Sequence, residues 1–476
     1  MTKFEKNLLK KRSVDLSEWY NDVILKAELA DYAPVKGCMI IRPYGYALWE
    51  AIQQFLDKLI KERGVKNAYF PIFIPESFIN KEKEHVEGFA PLFAVVTIAG
   101  GKKLKEKLII RPTSEAIMYE MYKKWTTSWR ELPILVNQWG NVVRWEKRTY
   151  LFLRTSEFLW QEGHCAHLTH KESLDQVIWA LNAYQKTYNN LMATYGIPGI
   201  KSESEKFAGA YKTYTLELLM PNGKALQACT SHDLGQNFSK AIGWTVQDQN
   251  KSTVHPWQNS WGFSTRSIGS LIMVHGDDSG LILPPNIAPI QIIVVPIPGQ
   301  EIATKFAQKI FDQLKNKFRI EIDLVDDESA GFKFNKWELK GVPIRLEIGA
   351  KEANANEITL FRRDTCKKVK VPVSELESTI QKLLDKIQHN LFEKHKKFTR
   401  QNTPVIDSYN EFKDIMSTTR GFLSAFWCED LKCEAKIKKE TKATIRCLPL
   451  DSKKEKGKCI YCGKKSHYRW LFAQSY

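Results

Sequence analysis

The sequence predicts an α+β fold: an antiparallel-sheet region comes first, a small α/β domain follows, and a short cysteine-rich region comes last. Residues 142–147 and 157–164 alternate between polar and apolar side chains, which indicates paired antiparallel strands. Prolines interrupt the pattern at 283–289, and predicted strands alternate with helices beyond that point. Cysteines crowd the last fifty residues. The predicted domains are 1–288, 289–397 and 398–476.

The first region opens with an amphipathic helix at 46–63, because Leu48, Ile52 and Leu56 recur on one helical face. Gly64 supplies its stop. Residues 67–75 read as one strand, at an edge or interface because Pro71 lies inside it. The remaining helices of this region are predicted near 114–125, 171–195 and 265–274.

The second region begins with an apolar strand at 290–297, and this alternation of strands and helices predicts a largely parallel sheet. Its other strands are expected at 319–325, 342–349 and 357–363, and its helices at 301–317 and 375–397. From residue 398 the chain becomes rich in lysine and cysteine, and the Lys-rich loop between Cys433 and Cys459 is expected to have little core.

Composition places the chain among soluble proteins, since 43% of its 476 residues are hydrophobic and 26% are charged. The sequence contains no apolar run of membrane-spanning length and no secretory pattern in its first residues, so we expect a cytoplasmic protein without a membrane partner. Lys and Arg number 71 against 54 Asp and Glu, a formal net charge of +17. Such an excess suits a polyanionic partner, although simple solubility explains it equally well.

Phosphate-binding signatures of other nucleotide enzymes are absent from the sequence. It contains neither a GxxxxGK[ST] loop nor a GxGxxG turn, so a P-loop or a dinucleotide-binding fold has no support. Three other segments resemble the ordered motifs of class II aminoacyl-tRNA synthetases. Helix 46–63 with the proline-ended strand resembles motif 1, which implies a homodimer. RWE at 144–146 with RTSEF at 154–158 resembles motif 2, and SWGFSTRSIG at 260–269 resembles motif 3.

The chemistry of amino-acid activation explains these residue types. A carboxylate attacks the α-phosphorus of ATP, so the site must hold two anions in line and neutralise the developing charge. Arginine suits this task because its planar fork donates to both carboxylate and phosphate. The resemblance assigns catalysis to Arg144, Arg154 and Arg266, and it assigns ATP with its Mg²⁺ to Arg144, Glu146, Arg154, Phe158, Gln227, Thr230, Ser264 and Arg266.

Strand periodicity supports the same site independently. Arg144 and Glu146 are expected on one face of their strand, and Phe158, Trp160, Glu162 and His164 on one face of the partner strand. A sheet face that carries several ionisable groups beside aromatic rings is a costly core and a sensible binding surface.

Five segments resemble the prolyl-tRNA synthetase family: RPTSE (111–115), QWGNVVRWE (138–146), LRTSEFLWQEGH (153–164), KFAGA (206–210) and TSHDLGQNFSK (230–240). The resemblance implies activation of L-proline and its transfer to tRNA(Pro). The proline pocket that it implies is formed by Thr113, Glu115, Arg144, Trp160, Glu162, His164, Phe207 and His232. A secondary ammonium needs a carboxylate and an acceptor, and a rigid apolar ring needs aromatic walls.

Two features qualify this resemblance. Cys229 stands where the family usually has glycine, so its thiol is expected to fit on or narrow the floor of the site. Residues 159–259, between motifs 2 and 3, leave no room for the large editing domain of the common bacterial form. The chain therefore resembles the archaeal and eukaryotic form, and we expect some mischarging with alanine because a hydrophobic pocket discriminates poorly against a smaller substrate.

The other two regions carry their own expectations. Residues 290–397 resemble the anticodon-binding domain of class II enzymes, with Arg345, Glu347 and Arg362 as candidate RNA readers or as ordinary surface charges. The thiols of Cys428, Cys433, Cys459 and Cys462 resemble a structural Zn²⁺ site, with Cys447 as a spare ligand and free thiols as the alternative. In relatives of the archaeal type the terminal tyrosine carboxylate folds toward the active site, a role expected here for Tyr476.

Two alternatives to this function stay open at this point. The chain could be a synthetase-like regulator without catalysis, although such proteins generally lose the motif arginines. It could instead be another class II enzyme, specific for threonine or glycine, although the RPTSE and TSHDLGQNF segments favour proline.

Overall fold

The computed structural model describes residues 9–81 and 93–476. Its strands in the first region are β1 Ala30–Tyr32, β2 Met39–Ile41, β3 Lys66–Asn67, β4 Phe73–Pro75, β5 Ala94–Ala99, β6 Lys102–Ile110, β7 Ile134–Val143, β8 Glu157–His167, β9 Ile197–Ile200, β10 Lys212–Leu219, β11 Ala225–Gly235, β12 Val246–Gln247, β13 Thr253–Val254 and β14 Trp257–Ser264. The second region has β15 Ile292–Pro296, β16 Ile320–Ile322, β17 Ile344–Ile348, β18 Glu357–Arg362 and β19 Lys367–Pro372, and the third has β20 Leu423–Phe426, β21 Ala443–Pro449, β22 Gly457–Lys458, β23 Lys465–Ser466 and β24 Arg469–Gln474.

The α-helices span Leu16–Lys26, Pro43–Glu62, Glu76–Lys81, Glu115–Trp125, His170–Lys186, Asn237–Ala241, Arg266–His275, Glu301–Leu314, Ala330–Leu339, Ala350–Ala355, Val373–Gln401, Tyr409–Ser417 and Leu431–Thr441. A π-helical turn, Thr187–Leu191, extends the fifth of these. Across the described ranges, 9–81 and 93–476, none of the helices combines the length and apolar character needed to cross a bilayer.

One large sheet organises the first region, with the strand order β9-β10-β11-β14-β8-β7-β3. Its long central strands pair antiparallel, as the alternation predicted, with Gln138 opposite Glu162 and Gly163 opposite Trp261. Antiparallel sheets can bury one face and leave the other for binding. Helices Pro43–Glu62, His170–Lys186 and Arg266–His275 bury their apolar sides in the main core, which leaves a polar face on the sheet.

The second region is an α/β unit with a mixed sheet in the order β16-β15-β17-β18-β19. β15 pairs parallel with β16 and β17, whereas β17–β18 and β18–β19 pair antiparallel. The prediction of a largely parallel sheet was therefore wrong for its second half. The short turn between β18 and β19 permits an antiparallel hairpin, whereas parallel neighbours need a crossover.

The Lys-rich loop between Cys433 and Cys459, expected to have little core, contributes Ile437, Ala443 and Ile445 to a buried cluster of the third region. Buried side chains including Phe412, Trp427, Ile445 and Phe472 form a cluster of their own. Strands of this region extend the large sheet of the first region through the order β20-β24-β21-β9, because Leu448 of β21 pairs with Ile200 of β9. The large sheet of the first region and strands β20, β21 and β24 of the third region therefore form one continuous sheet.

Several predicted boundaries differ from the structure. Residues 67–75 are not one strand: β3 joins the large sheet, and β4 joins β6 in a separate three-stranded sheet. Pro71 lies between them and lacks the N–H that a continuous strand would require. β7 ends at Val143, so Arg144 and Glu146 lie just beyond the strand rather than on it. Arg144 still donates its backbone N–H to Ser156.

Candidate active site

An open cleft on the polar face of the large sheet collects the predicted site residues. Its empty volume is about 1160 Å³. All the residues assigned above to catalysis, ATP and proline line this one cleft: Thr113, Glu115, Arg144, Glu146, Arg154, Phe158, Trp160, Glu162, His164, Phe207, Gln227, Thr230, His232, Ser264 and Arg266. The sequence separates these residues by more than 150 positions, and the antiparallel strands β7, β8, β14, β11 and β10 bring them together.

Arg144 lies at the centre of the cleft. Its Nε donates to the carbonyl oxygen of Pro112 at 3.0 Å, and its guanidinium carbon lies 5.5 and 5.4 Å from the ring centres of Phe158 and Trp160. Burial and the charge of Arg266 lower the pKa of Arg144 to about 10, although Glu115 and other carboxylates work in the opposite direction. The group stays cationic at neutral pH and is oriented by the two aromatic rings.

A buried carboxylate network forms one end of the cleft. Glu162 accepts hydrogen bonds from Ser114 Oγ at 2.5 Å and Gln138 Nε2 at 2.9 Å, and its other oxygen lies 2.9 Å from His164 Nε2. Burial opposes ionisation of Glu162, but its bonds to His164 and Ser114 outweigh that effect and lower its pKa. Burial likewise disfavours the imidazolium of His164, but Glu115 and Glu162 raise its pKa overall. Glu115 accepts a bond from the Thr113 hydroxyl. This end of the cleft suits a cationic group.

An aromatic wall stands beside that network. The ring centres of Phe207 and His232 are 4.6 Å apart, and Thr213 Oγ1 lies 3.0 Å from His232 Nδ1. Burial, together with the charges of His164 and Arg144, lowers the pKa of His232 to about 3. His232 is therefore a neutral ring at physiological pH, and it offers an apolar face rather than a charge.

The opposite end of the cleft holds arginines that suit phosphate. Arg154 Nη2 lies 2.9 Å from Glu146 Oε2, and the Arg154 side chain is 55% exposed, so it remains free to reach a ligand. Arg266 begins the helix Arg266–His275, and its Nε donates to the carbonyl oxygen of Leu153 at 3.0 Å. Burial lowers the pKa of Arg266. The two ends of the cleft are thus complementary to a small zwitterion and a polyphosphate.

The sequence did not reveal the residues that orient the side chains of the cleft. Ser114 and Gln138 orient Glu162, and Thr213 contacts His232. Ser114 and Gln138 lie inside segments already singled out, so their location was a usable signal. Thr213 carried no local signal, because only the pairing of β10 with β11 sets it opposite His232.

Cys229 borders the cleft and belongs to the main apolar core beneath it. It is buried, lines the cavity and pairs in register with Phe263 of β14. Burial raises the pKa of its thiol well above the ordinary value, which leaves little reactive thiolate at neutral pH.

The predicted cysteine cluster also comes together. The Sγ atoms of Cys428, Cys433, Cys459 and Cys462 all lie within 4.8 Å of one another, and Cys428 is 3.7 Å from Cys433 and 3.6 Å from Cys462. A tetrahedron with Zn–S bonds of about 2.3 Å has S–S edges of about 3.8 Å, so these thiols fit zinc. Cys447 lies elsewhere, buried in a separate apolar cluster, which argues against a role as spare ligand.

The candidate RNA-reading side chains already form contacts with other residues of the protein. Arg345 is sandwiched between the rings of Phe334 and Phe361, at 4.2 and 4.1 Å, and its Nη2 donates to Glu347 at 2.7 Å. Arg362 forms an ion pair with Asp364 at 2.8 Å. Arg345 and Glu347 are buried, so they are not ordinary surface charges.

Comparisons with known proteins agree with this geometry. Residues 96–275 match the family model of the tRNA synthetase class II core domain (G, H, P, S and T), residues 291–383 match an anticodon-binding domain, and residues 409–476 match the C-terminal domain of prolyl-tRNA synthetase. The chain is therefore a class II aminoacyl-tRNA synthetase.

Among curated relatives, the proline--tRNA ligase of Alkaliphilus oremlandii is 50% identical over 480 residues, which cover 100% of both chains. The proline--tRNA ligase 2 of Clostridioides difficile is 50% identical, again over 100% of both chains. The chain belongs to the proline–tRNA ligase, or prolyl-tRNA synthetase, family.

Solved structures resemble the whole chain. The prolyl-tRNA synthetase of Cryptosporidium parvum in complex with halofuginone and AMPPNP has a TM-score of 0.94 and 42% identity, covering 98% of this chain and 99% of its own. The same enzyme with L-proline and AMP has a TM-score of 0.94 and 40% identity, covering 100% and 99%. The sequence left open another class II specificity, and these relatives favour proline.

Proposed function

We propose that this chain joins L-proline to tRNA(Pro) in two steps within the described cleft. Proline and ATP first form prolyl-adenylate and pyrophosphate, and the prolyl group then passes to the 3'-terminal adenosine of the tRNA. The observation that supports this proposal is that a buried carboxylate–histidine network, an aromatic wall and several arginines all line one cleft. The names of the relatives support the same activity.

The network end of the cleft is the proposed proline site. Thr113 and Glu115 receive the imino group, and Trp160, Glu162, His164, Phe207 and His232 wall the ring. Glu115 is buried, and the negative charges of Glu115 and Glu162 both act on His164, so this end of the cleft favours a secondary ammonium. Neutral His232 against Phe207 gives the pyrrolidine ring an apolar contact.

The arginine end is the proposed nucleotide site. Arg144, between the two ends, bridges the proline carboxylate and the α-phosphate, so it aligns attack and offsets charge on phosphorus. Arg154 reaches the outer phosphates, and Arg266 with Phe158 holds adenine, beside Glu146. Gln227, Thr230 and Ser264 offer amide and hydroxyl oxygens, which fit a Mg²⁺ bound mainly through ATP phosphates. Bound Mg²⁺ would neutralise phosphate charge.

ATP–pyrophosphate exchange with a panel of amino acids tests the proposal directly. Exchange should depend on proline, be weak with alanine, and be absent with threonine and glycine. An Arg144→Met variant should lose exchange by about a hundredfold or more, since a preorganised cation is worth that in such sites. Exchange without amino-acid dependence, or full activity in Arg144→Met, would contradict the proposal. Complete absence of exchange in the unmodified chain would favour the non-catalytic regulator.

We also propose that the chain is the form without an editing insertion. Between motifs 2 and 3 the chain forms the helices His170–Lys186 and Asn237–Ala241, the π-helical turn Thr187–Leu191 and strands β9–β13. Strands β9, β10 and β11 belong to the large sheet, and the helix His170–Lys186 packs on it. Any correction of alanyl-tRNA would then require a separate protein. Incubation of the purified chain with alanyl-tRNA(Pro) should show no hydrolysis above the uncatalysed rate.

The remaining expectations are proposals of the same kind. The domains are 1–288, 289–397 and 398–476, the cysteine cluster holds one structural Zn²⁺, and the protein works in the cytoplasm. A homodimer is supported by exposed apolar side chains near the motif 1 elements, including Tyr69 and Phe73. Light scattering during gel filtration should give twice the mass of the chain.

A further inference from the structure

A buried ionic cluster joins the C-terminal region to the sheet that carries the cleft. The carboxylate of Glu217 on β10 lies 2.7 Å from Lys201 Nζ and 2.8 Å from Nη2 of Arg446, which belongs to β21. Arg446 Nε donates to the same Glu217 oxygen at 2.9 Å, and Thr215 Oγ1 donates to the other at 2.9 Å. The side chains of Glu217, Lys201 and Arg446 are 0%, 1% and 6% exposed. Buried charges are costly unless paired in this manner.

The position of Glu217 on its strand connects this cluster to the cleft. Successive side chains of a strand alternate between faces, so Thr213, Thr215 and Glu217 share one face of β10. Their partners on β11 are His232, Thr230 and Gln227, and all three of these line the cleft. Glu217 therefore lies on the same face of the sheet as the residues that line the cleft. Lys201 and Arg446 cover it there, whereas substrate would cover the rest of that face.

A β-bulge in β11, opposite Glu217, determines the face of the sheet to which the Gln227 side chain points. Leu216 pairs with Cys229 and Glu217 pairs with Gln227, so Ala228 has no partner on β10. In a regular strand of the same sequence, without the bulge, alternation from Thr230 would place Ala228 and Leu226 on the cleft face, and Gln227 would point away. Bulges of this kind redirect a side chain next to active sites. The cross-strand neighbour at the bulge is the Glu217 that Arg446 holds.

Arg446 reaches the bulged strand by a second route. Its Nη1 donates to Ser475 Oγ at 2.7 Å, and Ser475 bridges Ala225, the first residue of β11. Tyr476 next to it donates its backbone N–H to the carbonyl oxygen of Ala225 at 3.0 Å. The segment 225–229 is therefore held on one side through Glu217 and on the other through Ser475, and Arg446 binds both.

We propose that Arg446 is a positioning residue for the nucleotide: through Glu217 and Ser475 it fixes the bulged segment 225–229 and so aims Gln227 into the ATP end of the cleft. This inference rests on the proposed assignment of Gln227 to ATP. It makes the C-terminal region part of the active-site scaffold, because a distant arginine sets the geometry of a residue that it does not touch.

Arg446→Met is the variant that isolates this effect. Glu217 keeps Lys201 and Thr215 as partners, so no buried charge is left alone, which Glu217→Gln would not achieve. In ATP–pyrophosphate exchange, the KM for ATP should rise about tenfold, the scale set by hydrogen bonds to a charged group, while the KM for proline stays within about twofold. Arg446→Lys keeps the charge and should recover part of the loss.

Arg469→Met is the matched control. Arg469 belongs to β24 of the same region, but its partners are Asp407 at 2.8 Å, Glu455 at 3.6 Å and the ring of Phe426 at 3.9 Å, all within the C-terminal region. Its KM values should match those of the unmodified chain. Equal increases in both KM values for Arg446→Met, an unchanged KM for ATP, or the same ATP effect in Arg469→Met would each overturn the inference.

The variant Gln227→Ala tests the assignment of Gln227 to ATP separately from the proposed positioning role of Arg446. If Gln227→Ala raises the KM for ATP and Arg446→Met does not, the coupling is refuted and the nucleotide assignment stands. If Gln227→Ala leaves the KM for ATP unchanged, the nucleotide assignment of Gln227 fails, and the inference fails with it.

Discussion

Removing one hydroxyl from the buried carboxylate network gives a sharp test of the cleft's electrostatics. Ser114 Oγ donates to Glu162 Oε1 at 2.5 Å, and both side chains are buried. A hydrogen bond to a charged acceptor contributes about 1.5–3 kcal/mol, so Ser114→Ala should lower the free energy of unfolding by that amount at pH 7. Loss of this bond should also raise the pKa of Glu162 back towards its ordinary value, because the bond stabilises the ionised form.

The pH dependence of this loss has a definite sign. The folded-state pKa of Glu162 is lowered from its ordinary value, so its stabilisation is present above the unfolded pKa of about 4.3 and disappears as pH falls through the folded pKa. Ser114→Ala moves the folded pKa back up. The difference from the unmodified chain should therefore be largest at pH 7 and should shrink as pH falls through the folded-state pKa of Glu162, towards about 0.5–1.5 kcal/mol once the carboxyl is neutral in both proteins.

Urea unfolding at pH 7 and at a pH below the folded-state pKa of Glu162 measures both values, and ATP–pyrophosphate exchange at pH 7 reports the accompanying rise in the KM for proline. Ser231→Ala is the matched control, since Ser231 is equally buried but donates to the neutral carbonyl of Val177 at 2.9 Å. Its loss should be the same at both pH values, without a change in the KM for proline. An equal loss for Ser114→Ala at both pH values would refute the reasoning.

Three further predictions follow from the same structure. Cys433→Ser should reduce bound zinc from about one per chain and lower the melting temperature, whereas exposed Cys366→Ser should change neither, as elemental analysis and calorimetry will report. The raised pKa of His164 implies stabilisation that is complete below about pH 6.5 and is lost as pH rises through its folded pKa; His164→Gln should flatten that part of the stability–pH curve measured by urea unfolding. Phe207→Ala should raise the KM for proline by about tenfold or more but leave the KM for ATP within about twofold; a parallel rise in both would contradict the apolar-wall assignment.

The long, strongly patterned elements were predictable because their periodicity is local. The helix Pro43–Glu62 and strand β8 follow directly from apolar spacing and alternation, whereas the alternation at 142–147 located only the end of β7. The split of residues 67–75 into strands of two sheets was not predictable, since each half is too short to carry a period. The antiparallel β18–β19 hairpin was missed because charged β19 shows little apolar alternation.

The sequence by itself determined the candidate site residues: the motif arginines, the Glu162–His164 alternation and the four thiols are chemical types at recognisable spacings. Only the tertiary structure decided what holds them. Ser114 reaches Glu162 across two elements, Thr213 meets His232 through strand register, and Arg446 meets Glu217 from the far end of the chain. The physical reason is that spacing along a chain records local geometry, whereas a buried hydrogen bond depends on which distant strands become neighbours.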